Sequence, residues 1–275
     1  MTTGLGILTG KFGRVALLDM DTGLTAHAHA HTHLIIKMSG PDQDFAVEGR
    51  EVPLTEDRAV LVNSWQEHSY APRQQNERTL FLAFYIEPGW LHACDPVFAR
   101  CGEADYFKHP SAMITPDIRR RANVLTDMVG GQSAMADKVE DLVADIMARF
   151  ASRHQQGKAG VSRACDYRIR RAIRQMQEAH DCPFNFDDLA RHAGLSRSRF
   201  NVLFRKTVGV TPAIYGNAIR LEASVNALKS QSSASEVSDL LGFSAPANFT
   251  RFFQQHTGVG PAAYRRAMVR LEAGS

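Results

Sequence analysis

The chain has 275 residues, of which 44% are hydrophobic and 22% charged, an ordinary globular composition long enough for two domains. The net charge of +3 hides an asymmetry: from Val161 onward there are 16 Lys+Arg against 9 Asp+Glu, whereas the first 160 residues carry 16 against 20. A basic C-terminal part joined to a slightly acidic N-terminal part points to a polyanion partner for the former only. The opening MTTGLGILTGKFGRVALLDM lacks the basic start and unbroken apolar run of a signal peptide, and no apolar stretch is long enough to span a bilayer. The scattered Cys94, Cys101, Cys165 and Cys182 form no CxxC pair and read as thiols of a reducing compartment. A cytoplasmic protein without membrane attachment is therefore expected.

Residues 12–90 read as β-rich. Short apolar stretches at Phe45–Val47, Ala59–Val62 and Leu80–Ile86 are punctuated by Gly, Pro, Asp and Asn, which is sandwich or barrel texture. Within this part stands HAHAHTH, with His27, His29, His31 and His33 in strict alternation. On a β-strand these four side chains share one face. From Pro116 to Phe150 the pattern turns helical, and Leu142, Val143, Ile146, Met147 and Phe150 form one apolar stripe. Segments Pro116–Met128 and Ala136–Phe150 are expected to form an antiparallel pair. The polar, Gly-bearing ASRHQQGKAG that follows is read as a linker. This divides the chain into a domain at 1–150, a linker at 151–162 and a domain at 163–275, the last helical in pattern to about Glu272.

One pattern in the C-terminal part occurs twice. Leu189 to Tyr215 reads LARHAGLSRSRFNVLFRKTVGVTPAIY, and Val237 to Tyr264 reads VSDLLGFSAPANFTRFFQQHTGVGPAAY. Each copy has a Gly five residues after an apolar residue, then an apolar-Ser pair, two Phe at helical spacing, and a closing Gly-Val-x-Pro-x-x-Tyr. The physics is a helix, a tight turn and a second helix. Gly194 and Gly242 can take positive φ at the turn, and Ser196 and Ser244 are placed to cap the second helices. Asn185 before Asp188 and Ser233 before Glu236 fit caps of the first helices. Tyr215 to Lys229 reads as a long connecting helix.

In the second helices Phe200, Leu203 and Phe204, and Phe249, Phe252 and Phe253, must face inward. The opposite faces present Ser198, Asn201, Val202 and Arg205, and Ala247, Thr250, Arg251 and Gln254, with Asn248 at the edge. Small and amide side chains beside an Arg suit a major groove, where Asn pairs with adenine and Arg with guanine. Two such helices in successive grooves would lie about 34 Å apart.

These paired motifs, from about Asp166 to Arg266, resemble the DNA-binding domain of the AraC/XylS family of transcription regulators. The resemblance implies base contacts by Ser198, Asn201 and Val202 in the first unit and by Ala247, Asn248, Thr250 and Arg251 in the second. Arg197, Arg199, Arg205 and Lys206 are expected at phosphates, where they set affinity and salt dependence. Pro246 departs from the pattern, since it has no N–H to offer a base. The N-terminal part, including Val47–Pro72 with His68, resembles the cupin-type ligand-binding domain of the same family. The expected fold class is thus mixed: a cupin-like β-barrel with a helical pair, then an all-α tandem helix-turn-helix domain. Metal cupins show His-x-His, a Glu, then a later His. Here His27 or His29 starts that pattern, His33 stands where the Glu would be, and His68 matches the later His. Three readings stay open: a divalent transition metal held by His27, His29, His33 and His68, an organic-effector pocket drawing on His27, His29, His31, His33 and His68, or a structural edge strand. No cofactor is required. The resemblance further implies double-stranded DNA, a small-molecule effector and RNA polymerase as partners, and a homodimer through the helical pair. A regulator, not an enzyme, is expected, the alternatives being a metal-dependent cupin enzyme carrying a DNA-binding appendage and a purely architectural DNA binder.

Overall fold

In strands β2 (Gly13–Met20) and β9 (Thr79–Ile86), which pair antiparallel, alternate residues leave on opposite faces and both faces are buried. Val15, Leu17, Leu82, Phe84 and Ile86 enter one core, and Ala16, Leu18, Phe81, Ala83 and Tyr85 enter another. The computed structural model describes residues 3–74, 77–103, 105–131, 136–154, 166–178, 184–230 and 232–271. Within them β1 (Thr3–Gly10), β4 (Thr32–Ser39), β7 (Arg58–Val62) and β10 (Ser111–Met113) join β2 and β9 in a large sheet. Strands β3 (Leu24–His27), β5 (Gln43–Val47), β6 (Arg50–Leu54) and β8 (His68–Ala71) make a smaller one, ordered β3-β8-β5-β6. The sheets are not closed on each other, so the expected barrel is an open, two-sheet arrangement.

Helices α1 (Pro88–Cys94), α2 (Pro116–Gly130) and α3 (Ala136–His154) cover one face of the large sheet. The expected pair is present, and its apolar stripe is spent on the molecule's own core: Val143, Ile146, Met147 and Phe150 are fully buried there. Arg121 and Arg149 bridge Asp117 and Asp145 across the two helices. Ala151 to His154, expected in the linker, continue α3, and Ala151 packs in the core. The remainder of that linker, with Cys165 and Cys182, lies outside the described residues; Cys94 and Cys101 are free thiols.

The C-terminal part supplies α4 (Tyr167–Glu178), α5 (Phe186–His192), α6 (Arg197–Val208), α7 (Pro212–Lys229), α8 (Ala234–Leu240), α9 (Pro246–Thr257) and α10 (Pro261–Ala267). It is not all-α. The chain turns extended after Ala267, and β11 (Met268–Arg270) adds to the large sheet beside β1, parallel to it. The second face of the large sheet packs against the small sheet and also against α7 to α10, so Ile7, Leu18, Met20 and Ile35 share a core with Leu221, Val225, Phe249, Phe253 and Tyr264. The first helix-turn-helix unit has its own core, to which the N-terminal part adds Ala28 and the partly buried Trp65.

A buried ion pair fixes this seam. Arg14 on β2 meets Glu222 on α7 at 3.0 Å with both guanidinium nitrogens, and its Cζ lies 4.2 Å from the centre of the Tyr85 ring. Burial alone would lower the Arg14 pKa, but the Glu222 carboxylate, with Tyr264 and Tyr85, more than offsets it and keeps the group charged. Burial would raise Glu222, yet Arg14 holds it below the usual carboxylate range. Removing one partner of such a pair strands a desolvated charge, whereas replacing both with apolar groups is near neutral. Glu222→Ala is therefore expected to lower the unfolding free energy by about 3 kcal/mol, and Arg14→Met with Glu222→Leu by less than about 1 kcal/mol, in denaturant titrations. Equal losses in the two variants would show that the pair does not fasten the seam.

Candidate functional site

Both repeat units fold as their local signals dictate, with one exception. Asn185 caps α5 by accepting from the amides of Asp187 and Asp188, and Ser233 with Glu236 makes a complete capping box on α8. Gly194 and Gly242 sit at the two turns with φ of 68° and 62°, a region that costs any residue with a Cβ. Ser196 caps α6 by accepting from the Arg199 amide. Ser244 does not cap α9. The extra residue in the second copy moves the start to Ala245 and Pro246, whose fixed φ suits the first helical position, and Ser244 instead accepts from the Asn248 side-chain amide at 2.8 Å.

Phe200, Phe204, Phe249 and Phe253 are fully buried, and Leu203 and Phe252 partly so. This turns the opposite faces outward. Ser198, Arg199, Val202, Arg205 and Lys206 on α6 are exposed, as are Ala247, Asn248, Arg251 and Gln254 on α9, while Arg197, Asn201 and Thr250 are half-buried. Val202 is 63% exposed, high for an apolar side chain on a helix that already has a core face. Arg197 is engaged locally, 5.0 Å over the Phe186 ring and 3.5 Å from Asp187. The C-terminal half of α6, with Arg205 and Lys206, borders a cleft of about 1260 Å³ that Glu48 and Glu67 also line.

The histidines do not share one strand face. His27 ends β3, His29 and His31 lie in the connection between the sheets, and His33 is on β4. The chain nevertheless folds three of them together with His68 of β8, which pairs directly with His27. Ring centres lie 4.2 Å apart for His27–His68, 5.0 Å for His29–His68, 5.0 Å for His29–His33 and 5.3 Å for His33–His68. Donor nitrogens of His27, His29 and His68 fall within 4.8 Å of one another. Burial, and then the neighbouring imidazoles, push His27 and His29 well below the usual histidine range. Burial lowers His33 and His68 to about 3. His31 turns aside, 2.9 Å from Glu87 and 3.7 Å from Glu222.

Residues that the sequence pattern gave no reason to single out complete the site. His256, at the end of α9, is buried with its ring 6.3 Å from His27, and the Thr25 hydroxyl donates to the Gln255 carbonyl at 3.2 Å. Trp65, whose amide donates to the His29 carbonyl, stacks on Tyr215 at 4.4 Å. The repeat's other closing tyrosine, Tyr264, helps line a cavity of about 10 Å³ with Arg14, His27, His29, Tyr85 and His256. No signal near Thr25, Trp65 or His256 in the chain marks them, because each acquires its neighbour from the other half of the molecule.

Comparison with known proteins places this geometry. Residues 189–267 match the family described as a helix-turn-helix domain. A probable transcriptional regulator of Photobacterium leiognathi, LumQ, is 22% identical over 265 residues, covering 90% of this chain and 94% of that protein. An uncharacterized HTH-type transcriptional regulator of Haemophilus influenzae is 23% identical over 67% of this chain, and the chain spans 61% of its length. The TetD protein of transposon Tn10 from Escherichia coli is 37% identical over 81 residues, 29% of this chain and 59% of that protein. In fold, apo ToxT from Vibrio cholerae matches with a TM-score of 0.61 at 12% identity, over 94% of this chain and 98% of that one. ToxT with an unsaturated fatty acid bound matches at 0.54 and 11% identity, over 91% and 94%. The chain carries an AraC-type helix-turn-helix domain at residues 189–267, within a two-domain fold like that of ToxT.

Proposed function

We propose that the chain is a sequence-specific DNA-binding transcription regulator that responds to an effector through its N-terminal sheet domain. The observation that carries this reading is the pair of matched, outward faces on α6 and α9, each held by a buried Phe pair and a positive-φ turn. Residues 1–150 would sense the effector, and 163–275 would read DNA across the intervening segment. Ser198, Asn201 and Val202, with Ala247, Asn248, Thr250 and Arg251, are assigned to base edges. Arg197, Arg199, Arg205 and Lys206 are assigned to phosphates. Asn248 suits its role, because Ser244 holds one amide hydrogen and so orients the group. The fatty-acid-bound ToxT of the same fold supports a small-molecule effector. Binding, not turnover, is the proposed activity, in line with relatives named as transcriptional regulators. A homodimer covering two half-sites, contact with RNA polymerase and a cytoplasmic setting belong to the same reading. Among the described residues no helix is long and apolar enough to cross a membrane.

Selection of the full chain against a random DNA pool at fixed salt should enrich two short blocks about one helical turn apart. Salt-sensitive binding without enrichment would instead identify an architectural binder. On the selected site, Asn248→Ala or Arg251→Ala should each cost about 1–3 kcal/mol and relax preference at one base pair, read by anisotropy across single-base variants. Arg199→Ala or Lys206→Ala should weaken all sequences alike and reduce the slope of log affinity against log salt by about one. Loss of preference in the second pair, or of salt slope alone in the first, would reverse the assignments.

A further inference from the structure

Counting ring nitrogens in the histidine cluster shows an imbalance. The Nδ1 atoms of His27, His29, His33 and His68 face the backbone carbonyls of Thr25, His31, Phe84 and Gln66 at 2.7, 3.2, 2.7 and 2.9 Å. A carbonyl only accepts, so each Nδ1 carries the proton and each neutral ring presents a bare lone pair at Nε2. The Nε2 atoms of His29 and His68 are buried with no hydrogen-bond partner, although a buried acceptor left unmade is costly. Acceptors facing acceptors repel. Carbonyl-anchored imidazoles with converging Nε2 atoms are, however, how proteins orient histidine toward a metal ion.

We propose that His27, His29 and His68, with His33 beside them, hold one divalent transition-metal ion of the zinc type, and that the second helix-turn-helix unit reads its presence through β3 and His256. This rests on the DNA-binding reading above and names its effector. Neutral imidazoles without a thiolate or a free carboxylate suit Zn, Cu, Ni or Fe and not Mg or Ca. Glu87 and Glu222 are already engaged, Glu87 by His31 and Glu222 by Arg14 and His31. Size points the same way: the adjoining cavity of about 10 Å³ has room for about one water molecule, whereas an organic ligand needs several hundred Å³.

The route to DNA is short. His27 ends the strand whose Thr25 hydroxyl holds the last turn of α9, and its ring edge meets His256. His256 is itself anchored to the Phe252 carbonyl of the recognition helix. An ion that draws His27 toward His29 and His68 pulls on β3, and β3 is packed on α9.

The test uses the full chain after chelator treatment and gel filtration. Titration with Zn(II), and with Co(II) for its visible d–d absorption, should saturate at one ion per chain with a four-coordinate nitrogen spectrum. His68→Gln should weaken binding by more than the roughly 10–100-fold typical of losing an outer-shell partner. Zn(II) should raise the thermal midpoint of the parent chain but not of folded His68→Gln, which separates ligation from misfolding. Zn(II) should change affinity for the selected DNA site by about 5–150-fold, and His256→Ala should keep the ion while shrinking that change. Absence of a saturable ion in the folded parent chain, or equal binding by His68→Gln, overturns the site. Ion binding with unaltered DNA affinity overturns the coupling. Failure to bind any DNA while the ion still binds overturns the regulator reading and leaves the metal site standing.

Discussion

The Arg14–Glu222 pair is the interaction on which the arrangement turns. It joins a strand in the interior of the large sheet to the helix that links the two helix-turn-helix units, and it does so inside a core contributed by both halves. Two unit charges taken out of water hold each other strongly only when nothing intervenes, so the pair tolerates little sliding of α7 over β2. The second helix-turn-helix unit is in effect a layer of the sheet domain. The first is attached more lightly, through Trp65 on Tyr215 and through Ala28. The two units therefore differ in freedom although they repeat in sequence.

The polar groups at this seam are unusual for an interior. Three histidines, an arginine and two tyrosines are buried around one small cavity, where apolar packing would be the more stable filling. Trp65 adds backbone strain, with φ of 61° at a residue that carries a large side chain, at a cost of order 1–3 kcal/mol. Strain and under-satisfied polar atoms collected in one place mark a region shaped by something other than stability. Here they lie where a change in the sheet domain reaches α9 and α7 together.

How much was legible beforehand follows from how local each signal is. The helix-turn-helix units were readable because caps, turn glycines and Phe spacing act within one or two helical turns. The single miss there, Ser244, came from one inserted residue that handed the helix start to Pro246. The histidines were visible as residues, but not their arrangement: alternation implied one strand face, whereas the chain leaves β3 after His27 and re-enters a sheet only at Thr32. Glu222 and His256 were unreadable as site residues, since Arg14 and His27 stand more than two hundred positions away. Strand β1 escaped because TGLGILTG is rich in glycine, and β11 because its three residues continue a helical pattern. Whether the sheets close depends on register between distant strands, which no local pattern encodes.

The parallel pairing of β11 with β1 bears on what the molecule risks when it rearranges. With β11 in place, the eight-residue β1 is an interior strand, sealed by three residues from the far end of the chain and by the Leu271 amide on the Thr9 carbonyl. Lift the C-terminal segment away and β1 becomes a bare edge of unpaired amides and carbonyls beside the partly exposed Leu5. Such an edge accepts a strand from any passing chain. Pairing with β11 thus shields β1 from edge-to-edge association, and clipping Met268–Arg270 would open that edge without touching α6 or α9.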